Sequence, residues 1–204
     1  MSQVTVAIFA NSIKHGGHCL AGKDVNTKQW LRVVSNSAGD ALNHSQVQYT
    51  NPFGTFSTKP LQKISMQLQG PAPLIQQPEN YVRGEQPWRQ NYSIDETELI
   101  QYIDQPNDLW GVSSSINHSS IVNGDIKISQ SLYLIKVQDL NLYVNRYEKR
   151  RASFTYNNVA YDLPVTSPKF DNILETKQVL NDILCISLGE ELEGVCYKIV
   201  AEIY

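Results

Sequence analysis

Lys14-His15-Gly16-Gly17-His18-Cys19-Leu20-Ala21-Gly22-Lys23-Asp24 carries two histidines, one cysteine, three glycines and two lysines in eleven residues. Read as a phosphate loop, Gly17 to Lys23 fits G-x-x-x-x-G-K, but Asp24 stands where a Ser or Thr hydroxyl would hold magnesium. That pattern also needs a helix opening at Gly22-Lys23. Val25-Asn26-Thr27-Lys28-Gln29 leads instead into Trp30-Leu31-Arg32-Val33, which has strand composition and no helical period. Read as a metal site, His15, His18 and Cys19 lack the second short-spaced ligand pair that zinc sites normally show. A glycine turn between two strands fits the neighbouring residues best, with Gly16-Gly17 allowing positive φ or close backbone approach. Lys14, His15, Gly16, Gly17 and Lys23 then edge a turn whose ammonium and backbone N–H groups could hold an anion without hydrolysing it. We expect no metal and no cofactor.

Working outward, short runs rich in β-branched and aromatic residues recur at 4–9, 30–34, 64–68, 132–137, 153–156, 183–186 and 197–203. The chain reads as mostly β. Trp30-Leu31-Arg32 is read as setting the tryptophan and the arginine on opposite faces of a strand, with Trp30 inward and Arg32 outward. A single helix is predicted over 95–104, opened by a capping box at Ser93-Ile94-Asp95-Glu96 and showing Leu99, Ile100 and Ile103 on one face. A helix between two sets of short strands predicts two small β-barrels, over 1–92 and 93–204, with a central helix and long irregular connections. Four prolines between 70 and 90 exclude a central strand there, and Ser113 to Ser120 reads as a loop. Asn123-Gly124-Asp125 reads as a tight turn.

Composition sets bounds on function. With 204 residues, 41% hydrophobic and 18% charged, the chain can bury a core, and its net charge of −3 argues against coating nucleic acid by bulk electrostatics. Any nucleic-acid site must be local. The start, MSQVTVAIFANS, has neither a basic leader nor an apolar run long enough for a signal or a span, and three widely spaced cysteines suit reduced thiols. A cytoplasmic protein without membrane attachment is expected.

The strongest local positive patch is Arg146-Tyr147-Glu148-Lys149-Arg150-Arg151, set between Tyr143 and Phe154. Arginines on phosphates with tyrosines stacking on bases would serve a single strand, whereas a solvated hairpin of alternating charge is the plainer reading. Arg32 is grouped with this phosphate-contacting set. No nucleophile with a base and no paired carboxylates in a recognisable setting appear, so a non-enzymatic protein is expected. Glu190, Glu191 and Glu193 read as a solvated acidic hairpin.

Four stretches resemble the family built on the dual OB-containing domain, found in prokaryotes. They are Lys14-His15-Gly16-Gly17 through Ala21-Gly22-Lys23 with Trp30-Leu31-Arg32-Val33-Val34-Ser35; Gln77-Pro78-Glu79-Asn80-Tyr81; Tyr161-Asp162-Leu163-Pro164-Val165-Thr166-Ser167-Pro168; and Cys185-Ile186-Ser187-Leu188-Gly189-Glu190 with Cys196-Tyr197-Lys198-Ile199-Val200-Ala201. Val33, Tyr81 and Ser167 depart from the proline, tryptophan and aspartate usual there. The resemblance implies two OB-like barrels and a setting near prokaryotic defence genes. Barrels of this kind often bind oligonucleotides, so the expected ligand is nucleic acid or a nucleotide-like molecule. The rival expectation is a protein-interaction module docking to a larger defence or nucleic-acid-processing enzyme.

Overall fold

A computed structural model describes residues 2–14, 16–177 and 180–204. The chain divides into two compact units, the first comprising Met1–Leu74 and Pro78–Tyr102 and the second Ile75–Gln77 and Ile103–Tyr204. Among the described residues, no helix is long and apolar enough to cross a membrane.

The first unit contains β1 (Ser2–Lys14), β2 (Gly17–Asp24), β3 (Trp30–Val34), β4 (Gln48–Asn51), β5 (Gly54–Ser57), β6 (Gln62–Pro71), β7 (Asn80–Arg83), β8 (Arg89–Ser93) and α1 (Glu96–Leu99). β1 is long because it serves two neighbours: Ser2 to Ala7 pair with β6, and Val6 to Lys14 pair with β2. A bulge between Ile8 and Ala10 bends it from one partner to the other. Strand order β1-β2-β3-β7-β6 returns to β1 and closes a five-stranded barrel, with β3 and β7 parallel and β8 added outside on β6. This is the Greek-key order of an OB barrel. Gly22 is required where β2 crosses β1, because a Cβ there would lie 2.1 Å from the Ala7 carbonyl oxygen. Val6, Ile8, Leu20, Leu31, Val33, Ile64, Met66 and Leu68 fill the interior.

Three expectations change here. β7 occupies a central position between β3 and β6, although it lies in the proline-rich stretch; Pro78 and Pro87 flank its four residues and interrupt none of its hydrogen bonds. The helix starts later and ends sooner than its pattern suggests. Asp95, not Ser93, is the N-cap, accepting from Glu98 N, and after Leu99 the chain tightens into a 3-10 turn over Ile100–Tyr102. That tightening buries Leu99 and Tyr102 and leaves Ile100 62% exposed, so Leu99, Ile100 and Ile103 do not share one buried face. Trp30 and Arg32, two residues apart, lie on the same face of β3, while Leu31 and Val33 point into the barrel. Trp30 is buried as expected, but on the outside of the barrel, edge-on to the bulge residue Phe9 at 6.0 Å.

The second unit contains β9 (Ser115–Asn117), α2 (His118–Val122), β10 (Leu132–Lys136), β11 (Gln138–Val144), β12 (Arg150–Tyr156), β13 (Val159–Pro164), α3 (Phe170–Thr176), β14 (Ile183–Leu192) and β15 (Val195–Ile203). The serine-rich stretch expected as a loop thus holds a strand and a short helix, β9 gaining its hydrogen bonds from the edge of β15. The tight turn at Gly124 is present, with φ +82°. β10 and β11 follow one another as a bent first strand: β10 pairs with β14 and β11 with β12. β12 pairs with β13, β14 with β15, and a single parallel bridge, Val165 to Val200, links the third strand to the fifth. The order is that of the first unit, but the sheet is a curled half-barrel. Ala152, Phe154, Leu163, Leu184, Ile186 and Val200 form its core, and α3 packs Phe170 and Ile173 into it.

Candidate functional site

An OB barrel offers ligands the outer face of its second and third strands and the adjoining loops. The two units treat that face oppositely.

In the first unit it is closed. The β1–β2 hairpin turns tightly between Lys14 and Gly17, which pair across it, and Gly16 has φ +80°. His15 lies outside the described residues. Its base is anchored: His18 exchanges backbone hydrogen bonds with Leu42, and His18 Nδ1 lies 2.8 Å from Asn11 Oδ1. Burial, with the nearby His44, holds the His18 pKa below its ordinary value. Lys23 is 3% exposed, and its ammonium donates to the Tyr102 carbonyl at 2.7 Å and lies 5.1 Å from the Trp30 ring centre. Arg32 is 7% exposed and pairs with Glu79 at 3.6 Å. Of the cations expected at an anion in this unit, Lys23 and Arg32 are therefore committed inside the protein. Among the described residues no cluster of three or more His, Cys, Asp or Glu is arranged to hold a metal.

In the second unit the corresponding face, the outside of β11-β12-β13, is partly open. The register aligns Tyr143 with Arg151 and Arg151 with Pro164, and Asn141 with Ser153 and Ser153 with Asp162. Asp162 ties the three strands together: Tyr143 Oη donates to its Oδ2 at 2.7 Å, Arg151 Nε to its Oδ1 at 3.0 Å, and Arg151 Nη2 to its carbonyl at 2.7 Å. The hydrogen bond to Asp162 raises the Tyr143 pKa. Around this triad lie Asn141, Ser153 and Thr155, a polar surface with no bulky apolar side chain.

The basic stretch overhangs this face as the β11–β12 loop, the position corresponding to the closed hairpin of the first unit. Asn145 Oδ1 accepts from Tyr147 N and Lys149 N and shapes the turn, with Glu148 at φ +57°. Tyr147 is 64% exposed, and the Arg146 guanidinium lies 4.7 Å from its ring centre. The two adjacent arginines point to opposite sides, as strand alternation requires. Arg151 is on the outer face, while Arg150 sits at the barrel mouth, paired with Asp171 of α3 and 5.8 Å from the Phe170 ring. Arg146 and Lys149 make no ion pair among the described residues. A groove of about 390 Å³ beside the loop is lined by Glu148 and Lys149, by Arg150 and Arg151, and by Pro164 and Val165, so one carboxylate shares it with the cations. Tyr143 and Asp162 complete the face: the sequence marks Tyr143 beside the basic stretch and Asp162 within a family-like stretch, but only the strand register shows that the two meet. Tyr161 is core, stacked on Phe154 at 5.6 Å.

The geometry defines a protein of two OB-like units, one with the outer face of its second and third strands covered and one with that face partly open. The family model of the dual OB-containing domain matches residues 4–203, and the chain belongs to that family. No curated protein and no solved structure matches it.

Proposed function

We propose that the protein is a non-enzymatic binding module that takes a short single-stranded nucleic acid, or a nucleotide-like ligand, on the outer face of β11-β12-β13 beneath the 145–149 loop. The observation that carries this reading is the contrast between units: the strand pair equivalent to β12–β13 is sealed in the first barrel and accessible in the second. Arg146 and Lys149 supply uncommitted positive charge, and Tyr147 supplies an exposed ring for stacking. A role in prokaryotic defence, the setting suggested by the family resemblance, is part of the same proposal.

Two free cations imply a weak electrostatic contribution, with a log–log salt slope of about −1 to −2 for a single strand. Fluorescence anisotropy with labelled single-stranded DNA, duplex DNA and RNA at low and moderate salt tests it. Saturable single-strand binding with that slope, flattened in Arg146→Ser/Lys149→Ser, supports the reading; no binding at low salt rejects it.

A second reading, docking to a larger defence or nucleic-acid-processing enzyme, draws on a different surface. Phe53 at the tip of the β4–β5 hairpin is 89% exposed, with Phe56 beside it on β5. Affinity purification with Phe53→Ser distinguishes it: loss of a specific co-purifying protein favours docking.

A further inference from the structure

The outer face of the first barrel away from its ligand strands carries a second polar site. Strand alternation puts Gln3 and Thr5 of β1, Ser65 and Gln67 of β6 and Arg89 of β8 on this side, while Val4, Ile64 and Met66 face the core. Gln3 lies opposite Gln67, Thr5 opposite Ser65, and Ser65 opposite Arg89. The Ser65 hydroxyl is fixed by Thr5 Oγ1 at 2.9 Å and by Asn91 Nδ2 at 2.8 Å. The far wall is the turn between β7 and β8, which brings Gln86 and Pro87 over the sheet. Gly84 makes this possible: its N–H donates to the Gln67 carbonyl at 2.8 Å, and a Cβ there would lie 2.5 Å from the same oxygen. The recess between them is about 290 Å³ and open to solvent, with Gln3, Gln86, Pro87 and Arg89 exposed at its rim.

The lining is unusual in composition. Three amides line the recess, and Gln3, Gln67 and Gln86 make no side-chain hydrogen bond with described residues, which leaves their donors and acceptors available to a ligand. Arg89 makes no ion pair among the described residues, and no carboxylate lines the space, in a chain whose net charge is −3. No aromatic ring lines it either, so a nucleobase has nothing to stack on. We infer that this cavity binds a monosaccharide-sized polyol carrying one anionic group, the hydroxyls on the amides and Ser65 and the carboxylate or phosphate on Arg89. This goes beyond the nucleic-acid reading and does not depend on it, since it concerns the other unit.

The test is calorimetric titration of the full chain with glucuronate, glucose 6-phosphate, glucose, inorganic phosphate, adenosine monophosphate and a short polyuronate. Saturable binding of glucuronate or glucose 6-phosphate, weakened tenfold or more by Arg89→Gln and by Gln67→Leu, supports the site. Tighter binding of the polyuronate assigns the sugar to an acidic glycan, and equal affinity assigns it to the free acid. Thermal melts of both variants at the wild-type temperature exclude misfolding as the cause. The proposal is overturned by no saturation with either anionic sugar at about 10 mM, by inorganic phosphate binding as tightly as glucose 6-phosphate, by adenosine monophosphate binding tighter than both, or by Arg89→Gln without effect. Arg146→Ser/Lys149→Ser leaves sugar binding unchanged, so failure of either site is read separately from the other.

Discussion

Lys23 Nζ donates a hydrogen bond to the backbone carbonyl of Tyr102 at 2.7 Å, joining β2 to the 3-10 turn that ends the first unit. The lysine that a phosphate-loop reading would aim at a ligand instead satisfies the last carbonyl of the first unit, beside Trp30 and Phe9. A buried ammonium is tolerated when it is hydrogen-bonded and ringed by π faces, and it is costly to unmake.

Lys23→Ala removes that charge-assisted bond and its packed stem, leaving the Tyr102 carbonyl without this donor. We expect a loss of about 2–4 kcal/mol in urea unfolding. Ligand affinity on the second unit should not change. An unaltered unfolding midpoint would show that the contact carries no stability.

Asp162 neutralises Arg151 and fixes Tyr143 on the open face. Asp162→Asn keeps one acceptor oxygen for Arg151 Nε and turns its Nδ2 donor toward the Tyr143 hydroxyl oxygen, but deletes the carboxylate charge, so single-strand affinity should rise by about 3–10-fold at low salt. The gain should fade at high salt as screening sets in. Weaker binding in anisotropy would mean that Asp162 orients Arg151 more than it competes with phosphate.

Lys198 donates to the Gly111 carbonyl at 2.6 Å with its side chain wholly buried, and burial lowers its pKa from 10.5 to about 8. The unfolded chain therefore holds the proton more tightly than the folded one across that interval, and stability contributed here rises with pH. The penalty is fully present below about pH 8 and is relieved above it. Cys196, whose thiol pKa burial raises from 9.0, opposes this from about pH 9, and Tyr156, Tyr161 and Tyr204, whose pKa values burial also raises, oppose it as pH passes 10. Relative to Lys198→Met, which keeps all of these groups but has no ammonium to bury, unfolding free energy of the wild type should climb by about 1–2 kcal/mol from pH 8 to 9.5.

Much of the β framework was readable before any coordinates. The runs at 30–34, 132–137 and 183–186 are strands because β-branched residues crowd there, and that preference is local. The Gly16-Gly17 hairpin was readable for the same reason, since a tight turn needs a residue that accepts positive φ. β7 was not: its four residues gain strand character only from the flanking β3 and β6. α3 was also missed, having no side-chain cap hydrogen bond to announce it.

By itself the sequence determined that the chain is mostly β, that its short strands group into two small barrels, and where its positive charge is concentrated. These follow from composition and short-range pattern, which each residue carries with it. Tertiary structure alone decided which cations are taken up by partners within the protein. Lys23 and Arg32 are turned to protein partners, Arg150 and Arg151 are split across one strand and matched with carboxylates 21 and 11 residues away, and Arg146 and Lys149 make no ion pair among the described residues. Burial and ion pairing depend on residues far apart in the chain, so a local stretch of basic residues specifies charge but not its availability.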